Sequence, residues 1–190
     1  MAEWTGASEP PRGAGWRLWL LWVLASVVGG GVGGVVLGPV FSVVEPAFGL
    51  LVGGVAVGAI GGAALGVLQW LVLRGRLVRA GWWIVASTVG WAVGGAAFGL
   101  VGGAVTGVLQ WLVLRRRLAR AGWWIAASTV GWAIGPVIVL FGGVIGELDA
   151  ALIVLLVAVL WGIGGLVGGA ITGVVLVWLL RQRLVDADGG

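Results

Sequence analysis

Gly95-Ala96-Ala97-Phe98-Gly99-Leu100-Val101-Gly102-Gly103-Ala104-Val105-Thr106-Gly107 runs into Val108-Leu109-Gln110-Trp111-Leu112-Val113-Leu114 and then into Arg115-Arg116-Arg117-Leu118-Ala119-Arg120. The order is apolar body, Gln-Trp pair, arginine block, which is the order of hydrocarbon, interface and water across a membrane leaflet. Gly95, Gly99, Gly103 and Gly107 recur at every fourth residue, a spacing that on a helix gives a stripe without side chains where another backbone can approach.

Outward from this stretch the same character continues. The chain of 190 residues is 61% hydrophobic and only 9% charged, with a mean hydropathy of +1.16. A water-soluble domain carries about a quarter charged residues. The runs Val23–Val44, Ala47–Leu73, Trp82–Leu114, Trp123–Gly146 and Ala150–Leu180 contain no charge, and each exceeds the roughly 18 apolar residues that suggest a membrane span. An all-α, polytopic transmembrane bundle is expected. High glycine content argues against helix in water, but in lipid the backbone must satisfy its own hydrogen bonds and helix is the default.

The stretch is also part of a duplication. Gly66–Gly94 and Gly107–Gly135 align at an offset of 41 residues and differ at only four of 29 positions (75/116, 78/119, 85/126, 93/134). A third, weaker copy closes the chain, with Gly165–Gly173 resembling Gly99–Gly107. Each unit pairs an odd helix bearing Ala25-Ser26, Ala86-Ser87 or Ala127-Ser128 with an even helix bearing a glycine stripe: Gly54, Gly58, Gly62, Gly66; then Gly95, Gly99, Gly103, Gly107; then Gly165, Gly169, Gly173. These glycines are the expected helix-packing residues. The expected domain layout is a disordered tail over 1–15, one transmembrane domain over 16–184 with repeat units of about 16–79, 80–120 and 121–184, and a tail over 185–190.

Units one and three have room for two spans each around polar turns at Glu45-Pro46 and Glu147 to Asp149. The middle unit, Trp82–Leu114, is short. As one helix it would put five arginines on one side of the membrane and six on the other; as a short hairpin turning near Gly94–Gly99 it gathers all 11 on one side. The positive-inside rule selects the hairpin. About six helices in three αα-hairpins are therefore expected, in the inner (plasma) membrane with both termini cytoplasmic.

Catalysis has little material. His, Lys, Cys and Tyr are absent, and Glu45, Glu147 and Asp149 fall in expected outer turns. No enzyme, cofactor or metal site is expected. Gln69 and Trp70 with Arg74, Arg76 and Arg79, Gln110 and Trp111 with Arg115, Arg116, Arg117 and Arg120, and Arg181 with Arg183 are expected at the lipid interface, where anionic headgroups meet the arginine loops. The pI near 11.6 follows from these short clusters at helix ends, and no nucleic-acid partner is expected. A homo-oligomer or another membrane protein is the expected kind of partner.

Gln-Trp-Leu-Val-Leu-Arg-Arg followed by Ala-Gly-Trp-Trp-Ile resembles uncharacterised bacterial multi-pass membrane proteins with Trp-rich, Gly-rich repeats, over about Gly54–Arg183. The resemblance implies membrane location and repeats and no activity. Three two-helix units also resemble the architecture of mitochondrial carriers, without their proline-acid-basic signature; that likeness is topological and implies no function. Two functional classes follow: a non-enzymatic scaffold or accessory subunit packing through glycine stripes and, as the alternative, a small channel or transporter for a small neutral solute. Ion transport is disfavoured because no ionisable residue lies within an expected span.

Overall fold

The computed structural model describes residues 14–77, 79–97, 101–116, 118, 120–133 and 149–188. Among these the chain is all-helical, with six helices: α1 Ala14–Phe48, α2 Leu50–Leu73, α3 Trp82–Ala96, α4 Gly102–Leu114, α5 Trp123–Gly131 and α6 Ala150–Asp188. Gly15–Val40, Leu50–Leu73 and Ala151–Gln182 are long and apolar enough to cross a membrane, as expected of a membrane protein.

Each helix packs on the next, and α6 returns to α1, so the six close into a ring. Neighbours run antiparallel: along α2 and α3, Gly54 faces Gly95, Gly58 faces Trp91, and Gly62 faces Ser87. The starts of α1, α3 and α5 and the ends of α2, α4 and α6 therefore share one end of the bundle. Arg17, Arg74, Arg76, Arg79, Arg115, Arg116, Arg120 and Arg181 lie there, all exposed.

The middle unit is a hairpin. At about 1.5 Å per residue, the 15 residues of α3 and 13 of α4 rise about 22 Å and 20 Å. Its break follows Ala96, so the four-residue glycine spacing that runs from Gly95 to Gly107 does not lie on one helix. Gly95 belongs to α3 and faces Gly54, while Gly103 and Gly107 belong to α4 and face α5. Gly99, Arg117 and Glu147 lie outside the described residues, as do residues 1–13.

Two expected boundaries move. The first hairpin does not turn at Glu45-Pro46: α1 continues through Pro39 and Pro46 to Phe48, and the reversal is made at Gly49, with φ 86° and ψ 165°. That region of backbone space is closed to residues with a Cβ, whereas proline in a membrane helix is tolerated where neighbours re-satisfy the freed carbonyls. At the other end α6 extends to Asp188, so residues 185–188, expected as tail, are helical; no glycine or proline interrupts the chain until Gly189.

The stripes of the even helices lie against the following odd helix in one repeated register. A Cβ on Gly62 would stand 2.6 Å from Ser87 O and one on Gly66 2.9 Å from Ser87 Cβ; on Gly103, 2.8 Å from Ser128 O and on Gly107, 2.8 Å from Ser128 Cβ; Gly165 would meet Ser26 O, and Gly169 would stand 2.7 Å from Ser26 Cβ. The odd helices return the contact to their own hairpin partners, Gly29 on Leu65, Gly90 on Thr106 and Gly131 on Gly168. Both sets give the same equivalence: Gly66, Gly107 and Gly169 are one position, related by a pseudo-threefold axis. The third copy is thus displaced by one stripe interval from its sequence alignment, which had matched Gly173 to Gly107.

Gly103→Leu should therefore destabilise the bundle by about 1–3 kcal/mol, the cost of overpacking a filled contact, because the backbone of α5 cannot yield as a side chain can. Ala104→Leu, one residue off that face and half-buried, should cost less than half as much. Thermal unfolding of the two variants in detergent checks the ordering, and equal losses would contradict the register.

Candidate functional site

The interior at the arginine end is built from one odd-helix motif, Trp-x-x-Ala-Ser, at Trp22–Ser26, Trp83–Ser87 and Trp124–Ser128. Trp22, Trp83 and Trp124 are all fully buried and meet on the axis. Their ring centroids lie 5.7 Å (22–83), 5.8 Å (22–124) and 5.3 Å (83–124) apart, at interplanar angles of 77°, 78° and 69°. Each edge points at a neighbouring face, the arrangement indole quadrupoles favour. The doublets Trp82-Trp83 and Trp123-Trp124 split as consecutive helical residues must: Trp82 is 61% exposed and Trp83 0%. Leu73, Leu114 and Leu176 close the layer, and Leu77, Ala80, Leu118 and Ala121 from the arginine loops cover it.

Around the indoles runs a belt of neutral hydrogen bonds. Trp83 Nε1 donates to Gln69 Oε1 at 2.9 Å, and Gln69 Nε2 donates to Ser26 Oγ at 3.2 Å. One unit on, Trp124 Nε1 donates to Gln110 Oε1 at 2.9 Å, and Gln110 Nε2 donates to Ser87 Oγ at 3.0 Å. Each glutamine ties three consecutive helices together. Gln69 and Gln110 were expected to reach headgroups, and that placement is wrong. Both are 3% exposed, because three residues beyond the glycine contact their side chains point inward, where buried Trp and Ser groups need partners. Trp70 and Trp111 are only partly buried, and the guanidinium carbons of Arg74 and Arg115 lie 5.9 Å and 5.1 Å from their ring centroids. Arg76 donates to Val72 O at 2.6 Å.

The third seam departs from this pattern. Three residues beyond Gly169 stands Thr172, in the glutamine's place. It accepts from Trp22 Nε1 at 2.9 Å and donates to Gly168 O at 2.6 Å, but is too short to reach α5. Ser128 Oγ is buried with no hydrogen-bond partner among the described residues, as are Thr106 Oγ1 and Trp91 Nε1. Thr88 and Thr129 bond back to Ile84 O and Ile125 O on their own helices, both at 2.8 Å.

A second aromatic layer lies two helical turns further along the axis. Trp91 packs edge-to-face on Trp132 at 4.9 Å and on Trp161 at 5.7 Å. The corresponding position on α1 is Gly30, where a Cβ would meet Trp161 O. Trp161 of α6 thus fills the space that a third odd-helix tryptophan would occupy. Beside this layer a cavity of about 50 Å³ is lined by apolar groups, among them Gly29, Gly33, Gly58, Gly62, Leu65 and Leu37. Among the described residues no group of three His, Cys, Asp or Glu side chains could hold a metal ion.

Sequence reasoning missed the tryptophan layer and the belt. The signal was present in the fixed four-residue spacing of Trp and Ser in all three odd helices, since i and i+4 share a helix face. The pair Ser87/Ser128 tests the belt directly. Ser87→Ala should cost about 1 kcal/mol by leaving Gln110 Nε2 unpaired in a dry interior, whereas Ser128→Ala should stabilise, because it removes a hydroxyl buried without a partner. Detergent melting curves that shift equally for the two would contradict the assignment. No family model, curated protein or solved structure matches the chain.

Proposed function

We propose that this is a non-enzymatic, multi-pass protein of the inner (plasma) membrane with both termini cytoplasmic, serving as a scaffold or accessory subunit. The observation that carries this reading is the filled axis: three mutually packed indoles occupy the centre of the ring at the arginine end. The belt around them consists of neutral side chains bonded to one another. Neither a solute path nor an acid–base pair is offered at that level. The shared end of the exposed arginines supports a cytoplasmic placement through the positive-inside rule.

The mode of partner binding differs from the one the glycine spacing suggested. The stripes are not free surfaces: Gly54, Gly58, Gly62 and Gly66 lie on α3, Gly103 and Gly107 on α5, and Gly165, Gly169 and Gly173 on α1. A partner would meet the outward apolar faces, such as Val85, Val89 and Val93 of α3, all exposed.

Purified protein in liposomes should pass glycerol and urea no faster than empty liposomes in a light-scattering shrinkage assay. Flux above that baseline, lost on blocking the axis, would replace the scaffold with a channel for small neutral solutes. Orientation is tested by single cysteines. Gly75→Cys, Arg116→Cys and Gln182→Cys should be shielded from an impermeant thiol reagent in intact cells, and Asp149→Cys should react. Labelling at position 116 or 182 would overturn the proposed topology.

A further inference from the structure

Arg79 is the one non-glycine residue at positive φ (63°) among the described residues. A left-handed backbone at a residue with a long side chain is uncommon. Arg79 lines an open surface groove of about 350 Å³ together with Gly81, Trp82 and Val85. Gly81 is exposed and leaves the groove open: a Cβ there would meet nothing within 4 Å. Trp82 and Val85 are both exposed and follow one another by a helical turn on the outer face of α3.

From the arginine end inward the groove therefore presents a cation, an indole with a free N–H, and an aliphatic side chain. Arg74 and Arg115 are stacked on tryptophans, and Arg76 is bonded to a carbonyl, whereas the Arg79 guanidinium and Trp82 Nε1 have no hydrogen-bond partner among the described residues. Among the described residues outside the last turns of α6 the acids are Glu45 and Asp149, and both are at the opposite end of the bundle.

We propose that this groove is a binding site for one anionic phospholipid, its phosphodiester held by the Arg79 guanidinium and Trp82 Nε1 and its first acyl carbons lying over Val85. Charge complementarity selects an anion, and the polar-to-apolar order along α3 selects one with a chain attached. The fork of a guanidinium fits phosphate oxygens, and Trp is the side chain most at home at the level of a headgroup. The proposal rests on the membrane reading above and narrows it from a diffuse arginine surface to one site.

The test is native mass spectrometry of the full chain from micelles doped with equimolar phosphatidylglycerol and phosphatidylcholine. Wild type should retain phosphatidylglycerol preferentially. Arg79→Gln should lower the retained ratio by more than the roughly fivefold that losing any one arginine near an anionic surface produces, whereas Arg116→Gln, which removes the same charge nearby, should lower it by no more than that. Trp82→Leu, an exposed change that does not threaten folding, should also lower retention. Equal losses for Arg79→Gln and Arg116→Gln would mean diffuse attraction and overturn the site, as would the lack of any preference in wild type. Displacement by excess free glycerol phosphate would assign the groove to a soluble anion and overturn the lipid. Failure of the membrane reading would be seen separately, as a chain that stays monodisperse with no micelle at all.

Discussion

The architecture depends on backbone seated against backbone at one level of the bundle, where pairs of even-helix glycines straddle Ser26, Ser87 and Ser128. Between helices in lipid there is no hydrophobic drive toward association, since the surrounding chains are as apolar as leucine. Close approach must supply the attraction through dispersion and short polar contacts. At Gly62 and Gly66, or Gly103 and Gly107, the missing side chains let the odd helix come near enough for the glutamine three residues further on to reach two neighbours at once. The indole layer follows, because the serine and the tryptophan of each odd helix lie on one face. Fixing the serine against the glycines fixes the tryptophan on the axis.

The third unit shows which parts of this arrangement are constrained and which can be exchanged. Glycine contacts are kept at all three seams. The polar bridge is not: Thr172 keeps the bond to Trp22 and gives up the one to α5. In the second aromatic layer the partners trade roles, with Gly30 on the odd helix and Trp161 on the even helix. Volume on the axis is conserved while its source moves, as close packing demands.

Much of this was legible in the chain. Uncharged runs longer than a bilayer core identify membrane helices with little ambiguity. The charge argument identified the middle hairpin because topology and arginine position are coupled. The side-chain level was less legible. A glutamine next to tryptophan and one turn before an arginine has the same sequence signature whether it faces headgroups or the interior, and only the glycine register decides between them. The third repeat was misaligned for a related reason: a stripe with a four-residue period matches itself after any shift of four, so Gly165 could be paired with Gly99 or Gly103 on sequence alone. The turn at Gly49 was hidden by Pro46, which in water would have ended the helix.

The broken bridge leaves the ring unequal. Two of its three even helices carry a glutamine that binds helices on both sides; on the third, the contact of α6 with α5 inside the last hairpin is made by Gly131 on Gly168 and by Trp132 against the same glycine, and Ser128 Oγ of α5 is unpaired. An interhelical hydrogen bond in a membrane protein contributes about 0.6 kcal/mol on average, and an unpaired buried hydroxyl costs about 1–3 kcal/mol. Both terms act at the same junction and in the same direction. The α5–α6 contact is thus the weakest polar junction among the described helices, even though the indoles it adjoins are packed as closely there as elsewhere. Stability in this ring is set locally, by the residue three beyond each glycine pair, while the shared tryptophan layer holds the three units to one axis.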